Sequence, residues 1–289
     1  MKHGSSGAFG IGQVLSTSYG VVVGHFFVFF VLALVAGIPD LVIEILSPQK
    51  PPDWIGAVAP GVEAAPITPA LRALSPWIVV PLVLAGIALK FILSAAATYL
   101  MIADLRSTAF RLGEALAAGL RALLPLLGIM LVLMLMFLGF AIVVGFIWAA
   151  LTYGIVQDPK SPLGALVIPL FVVPVVIVAL RLSLIVPVLV AERAGPVTSM
   201  RRSADLTKGS IWRILGLFVV VGLILLAINA VLVGGAIAVV GMKALFLSPI
   251  AIVAQHAIAS AEVPFYWAVV AALYYHLRTQ SESSAATPA

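Results

Sequence analysis

RRSADLTKGSIWRILG, residues 201–216, holds five charged side chains within thirteen positions: Arg201, Arg202, Asp205, Lys208 and Arg213. The chain around them is 63% hydrophobic and only 9% charged. A soluble surface needs roughly a quarter to a third charged residues. With a mean hydropathy of +1.22, this chain has too few, and its class is a polytopic membrane protein. The charges at 201–213 therefore mark a connection outside the hydrocarbon, just before an apolar run that continues to about residue 242.

Working outward, a helix needs about 20 apolar residues to cross ~30 Å of hydrocarbon. Six such runs occur, at roughly 21–46, 76–103, 122–152, 163–190, 211–242 and 245–275. They lack the alternation of barrel strands. In hydrocarbon each must satisfy its own backbone, which makes it a helix. The fold class is all-α, a single membrane domain over 1–289 with six transmembrane helices. The start of the chain is a poor signal peptide, with one lysine and an apolar run too long for an h-region. The stretch GSSG at 4–7 is either a remnant of cloning or a natural disordered start. The lack of cysteine excludes disulfides, thiolate metal sites and cysteine nucleophiles.

The cations are shared unevenly between the two sides. Lys2, Arg106, Arg111, Arg121, Arg193, Arg201, Arg202, Lys208, Arg213 and Arg278 fall on one side, and Lys50, Arg72, Lys160 and Lys243 on the other. The positive-inside rule places the first side, with both termini, in the cytoplasm.

Each even-numbered run opens with Ser-Pro (Ser75-Pro76, Ser161-Pro162, Ser248-Pro249) and closes at an arginine (Arg106, Arg193, Arg278). The Pro-to-Arg separations are 30, 31 and 29 residues. The odd runs each follow a short, partly polar segment: AFGIGQVLSTS (8–18), AFRLGEALAAG (109–119) and VTSMRRSADLTKG (197–209). This predicts three helical-hairpin repeats, about 8–106, 109–193 and 197–278, with short interfacial linker helices and a disordered tail at 279–289. In the third linker, Val197, Met200 and Ala204 share one helical face, and Arg201, Asp205 and Lys208 the opposite one. Such a helix either lies in the interface, with Arg201, Arg202, Lys208 and Arg213 on lipid headgroups, or is an ordinary solvated loop that sets topology. Gly209 is a plausible stop, and Ser210 a plausible cap for the fifth span.

The run RLSLIVPVLVAERAGPVTSMRRSADLTKGSIWRILGLF (181–218) resembles the membrane-domain family found with some glycerophosphoryl diester phosphodiesterases, and related bacterial six-helix membrane proteins of unknown function. The family pattern is matched by Pro187, Glu192, Arg202-Ser203, Leu206-Thr207, Gly209 and Trp212-Arg213. Its closing Tyr-Tyr-Asp-Leu-Arg is similar to Tyr274-Tyr275-His276-Leu277-Arg278, with His in place of Asp. The run FGIGQVLSTSYGVVVGHFFVFF (9–30) is also family-like. The resemblance implies the architecture and a bacterial inner (plasma) membrane, but no activity. The phosphodiesterase's soluble catalytic barrel has no room here. The four histidines, His3, His25, His256 and His276, do not stand in ligand spacing with one another or with a carboxylate.

Ionisable residues at bilayer depth are functional candidates. Lys90 and Glu262 both stand sixteen residues before the arginine that ends their span, and Arg181 stands twelve before Arg193. The repeat predicts a central charged cluster of Lys90, Arg181 and Glu262, with Glu262 within salt-bridge reach of a cation. That cluster is either a polar pathway or a buried network that fixes packing. Asp40 and Glu44 read as solvated. Tyr99, Tyr153, Trp77, Trp148 and Tyr274 read as interface anchors, and Gly20 with Gly24 as a close-packing pair.

No catalytic, Walker or dinucleotide motif occurs, so no catalytic residue, metal or cofactor is expected. The basic loops lack a soluble domain for nucleic acid. Three functions remain open: a non-enzymatic module that binds or handles lipids or small amphiphiles, a transporter or channel with a central charged site, and a structural or assembly subunit of a larger membrane complex. The expected partners are membrane lipids and other membrane subunits.

Overall fold

Apolar runs punctuated by proline fold into nine helices among the residues described by the computed structural model, which are 9–46, 76–150, 167–240 and 249–286. They are α1 (Ile11–Gly24), α2 (Phe26–Leu46), α3 (Pro76–Leu105), α4 (Leu112–Ala150), α5 (Val167–Leu182), α6 (Ile185–Glu192), α7 (Pro196–Leu206), α8 (Ile211–Val240) and α9 (Pro249–Ala286). No strand occurs among the described residues. Among the described residues six spans are long and apolar enough to cross a membrane, with α5 and α6 together forming one of them. Pro76, Pro196 and Pro249 each open a helix, where a missing N–H costs nothing.

Some boundaries differ from the sequence reading. The segment 109–119 forms no linker helix of its own, because α4 runs unbroken from Leu112. The segment 279–286 is not a disordered tail but continues α9, and Arg278 Nε donates to Glu282 at 2.8 Å, one turn on. At the other end, His25 separates α1 from α2, and its ring stacks on Phe110 with centroids 4.3 Å apart. Ser75, Ser161, Pro162, Ser248, Lys50, Arg72, Lys160, Lys243, Tyr153 and residues 4–7 lie outside the described residues.

The core gathers on α9. Ala268 to Tyr274 are all buried there, because small residues let neighbours approach on every side. The even-numbered spans touch one another: α3 meets both α6 and α9, and α6 meets α9. The helix α2 packs on both α3 and α9, α4 packs on α3 and α6, and α1 lies along α9. The helix α8 rests on α5 and α1 and reaches α9 through side chains, with the Phe218 and Tyr266 rings 6.1 Å apart. Its outward face, and that of α4, is a field of exposed Leu, Val and Ile, suited to hydrocarbon.

Close approach falls on other glycines than Gly20 and Gly24, which have nothing within 4 Å of where a Cβ would stand. Those two glycines are not packing points. A Cβ on Gly119 would lie 2.2 Å from the Ile92 carbonyl oxygen, which makes Gly119 the point where α4 meets the α3 backbone.

Candidate functional site

Proline chemistry starts the site. Pro187 has no N–H, and its ring crowds the carbonyl four residues back, that of Ser183. The fourth span duly breaks at Ser183 and Leu184, between α5 and α6. A break in hydrocarbon strands backbone groups that water cannot reach. Here α7 supplies the partners. The Ser203 hydroxyl donates to the Arg181 carbonyl at 2.7 Å and accepts the Leu184 N–H at 3.2 Å. The Thr207 hydroxyl lies 3.5 Å from the same carbonyl. Ser199, Ser203, Leu206 and Thr207 are buried, so the inward face of α7 carries mostly hydroxyls. Of the apolar face read from the sequence, Met200 and Ala204 are partly buried and Val197 is 57% exposed.

The helix then ends as its residues require. Gly209 adopts φ +81°, where a side chain would be strained, and the Ser210 carbonyl accepts the first N–H groups of α8, from Arg213 and Ile214.

About two turns beyond the break, Glu192 ends α6 and collects two partners. Arg202 Nε stands 3.6 Å from its carboxylate, and the Tyr274 hydroxyl donates to it at 3.0 Å. Arg278 donates in turn to the Tyr274 oxygen at 3.1 Å. Tyr274 is therefore no interface anchor. It is fully buried and ties α9 to α6. Of the four cations expected on headgroups, Arg202 is held inside this lock. Arg201, Lys208 and Arg213 are exposed at the same end of the bundle, beside Trp212 at 83% exposure.

Next to the lock is a pocket between α3, α4 and α6. It has two lobes of about 280 and 350 Å³, which share Tyr99, Glu114, Val190 and Arg193. Arg121 lines the first lobe; Arg106 and Arg111 line the second. Arg111 Nη1 donates to Glu114 at 2.8 Å; that hydrogen bond and charge hold the guanidinium above its usual pKa. Arg106, Arg121 and Arg193 are exposed and have no carboxylate partner among the described residues. Arg193 sits at φ 50°, and Ser107, next to Arg106, at φ 53°. Both stand in the left-handed region that glycine favours, at the ends of two even-numbered spans.

Residues 155–284 match the model of the family described as the membrane domain of glycerophosphoryl diester phosphodiesterase. Over those residues, a little under half of the chain, the sequence is similar to that membrane domain. Pro187, Glu192, Ser203, Thr207, Gly209 and Tyr274, read from the sequence as its pattern, are the break, the hydroxyl bridge, the stop and the lock just described. The family-like run at 9–30 lies outside the matched residues. No curated protein and no solved structure matches the chain.

The charges at depth pair differently from the expectation. Lys90 forms an ion pair with Asp40 of α2, so Asp40 is not simply solvated. The cause is local. Pro39 packs against Gly86, where a Cβ would come within 2.6 Å of the proline, and Lys90 is one turn beyond. Glu262 accepts Asn229 Nδ2 on both oxygens at 2.7 Å, which clips α8 to α9. Arg181 is exposed. Among the described residues no ion pair joins Lys90, Arg181 and Glu262. His25 Nδ1 stands 3.9 Å from the Asp104 carboxylate, a proximity that spacing did not reveal and that lies beyond hydrogen-bond reach.

The pocket arginines were legible only as topology signals. Their common site was foreshadowed by the matched Pro-to-Arg spacing, which puts Arg106 and Arg193 at equivalent ends, but nothing in hydropathy shows that Arg121 reaches the same hollow.

Proposed function

We propose that this protein is a non-enzymatic membrane module that binds or handles lipids or small amphiphiles, inserted with its arginine-rich end and both termini in the cytoplasm. The observation that carries this reading is the pocket between α3, α4 and α6, rimmed by three arginines that have no carboxylate partner among the described residues. Taken together, its two lobes fall within the ~300–1,000 Å³ range of small-molecule sites. Its position beside the Glu192 lock, at the end that bears Arg201, Lys208 and Arg213, suits the headgroup layer, where each cation attracts anionic lipid. Transport through a central charged site has less support, because Lys90 and Glu262 are each engaged by a separate local partner.

Arg193 offers a test that separates binding from folding. A non-glycine residue in the left-handed region costs ~1–2 kcal/mol. Arg193→Gly should leave the melting temperature in detergent unchanged or raise it, while reducing the anionic lipid that co-purifies, measured by mass spectrometry. An arginine kept for structure gives the opposite pattern: a lower melting temperature with lipid retention intact.

A further inference from the structure

A third cavity lies directly under the arginine pocket. It is an apolar groove of about 440 Å³ between α3, α4 and the junction of α5 with α6, lined on α4 by Leu126, Ile129, Met130, Leu133 and Met134. Its walls are Phe91 of α3 and the region of the helix break, from Leu182 to Val186. The two cavities follow end to end along α4, for the pocket lining stops at Pro125 and the groove lining starts at Leu126. Leu126, Ile129 and Ile185 form a buried floor, while Met130 and Met134 are 41% and 61% exposed, so the groove opens sideways to hydrocarbon. Leu126 to Met134 is about 12 Å of helix rise, most of the ~15 Å that one leaflet offers.

We propose that pocket and groove are one site for a membrane lipid whose headgroup is a phosphomonoester. This rests on the lipid-binding reading above. Arg111 is spent on Glu114, which leaves Arg106, Arg121 and Arg193 facing the hollow. A zwitterionic headgroup presents little net charge to them, and a phosphodiester presents one negative charge. A phosphomonoester carries a charge of about −1.5 to −2 near neutral pH and three acceptor oxygens, and guanidiniums bind such oxygens bidentately. The lipid enters sideways past Met130 and Met134, its chain lies in the groove, and its phosphate meets the arginines.

The test is native mass spectrometry of the full chain titrated with phosphatidic acid, phosphatidylglycerol and phosphatidylcholine of equal chain length, and with glycerol 3-phosphate as the soluble phosphomonoester. Phosphatidic acid should bind about tenfold tighter than phosphatidylglycerol. Arg106→Gln with Arg121→Gln should weaken it by about thirtyfold, at roughly fivefold per cation. Both side chains are exposed and unpaired, so the fold tolerates the change. Arg201→Gln with Arg213→Gln, outside the pocket, should leave the preference intact. Leu133→Trp, which fills the groove, should weaken phosphatidic acid but not glycerol 3-phosphate. Equal binding of the two anionic lipids, both lost in the Arg106/Arg121 variant, would overturn the phosphomonoester assignment and leave the lipid-binding reading standing. Glycerol 3-phosphate binding as tightly as phosphatidic acid, with Leu133→Trp silent, would overturn the groove. Lipid binding unchanged by the Arg106/Arg121 variant would mean annular lipid only, and both readings would fall.

Discussion

Ser203→Ala is expected to cost about 3 kcal/mol of stability, far more than a lost hydroxyl costs at a surface. The hydroxyl is fully buried and serves two backbone groups at once, the Arg181 carbonyl and the Leu184 N–H. Each buried group left without a partner costs ~1–3 kcal/mol. Thr207 stands 3.5 Å from the carbonyl and can take over part of its load, but it makes no bond to the Leu184 N–H. The deficit exists only because Pro187 breaks the helix. In a Pro187→Ala background the backbone can close its own bonds, and Ser203→Ala should then cost less than half as much. A double-mutant cycle on thermal unfolding in detergent checks this. Strict additivity of the two changes would show that proline and serine do not serve one junction.

The second large effect is at Gly119. Its missing Cβ leaves the only room for the Ile92 carbonyl, and a backbone atom cannot swing aside as a side-chain tip can. Gly119→Leu must push α4 off α3 and is expected to cost about 3 kcal/mol or more, at the upper end of overpacking. Each helix is internally bonded whether or not it packs. The loss should therefore appear as a lower melting temperature with far-ultraviolet circular dichroism almost unchanged. Because α3 and α4 also wall the pocket, retained lipid should fall as well. An unchanged melting temperature would mean that the two helices do not approach each other as described.

How far the sequence could be read followed the kind of force at work. Hydropathy and length give the six spans, since burial in hydrocarbon acts on whole segments. Proline and glycine gave Pro76, Pro249 and Gly209 their places, because backbone geometry is local. Partner choice was another matter. The depth of Lys90 was evident, but its pairing with Asp40 depends on how Pro39 seats against Gly86, a register between helices that no single-chain pattern encodes. The hydroxyl face of α7 was missed for a physical reason. Periodicity singled out Val197, Met200 and Ala204 and passed over Ser199 and Ser203, whereas a broken helix needs donors and acceptors more than methyl groups. The family pattern had pointed to Ser203 and Thr207 without saying why they matter, and the hydroxyl bridge supplies the reason.

The measurement that bears most directly on the central claim is density for bound lipid, from electron cryo-microscopy of the full chain in nanodiscs containing anionic lipid. A headgroup phosphate is expected between Arg106, Arg121 and Arg193, its oxygens roughly 2.7–2.9 Å from guanidinium nitrogens, with a chain descending past Leu133. A pocket filled only with water, while ordered lipids sit elsewhere on the bundle, would contradict it.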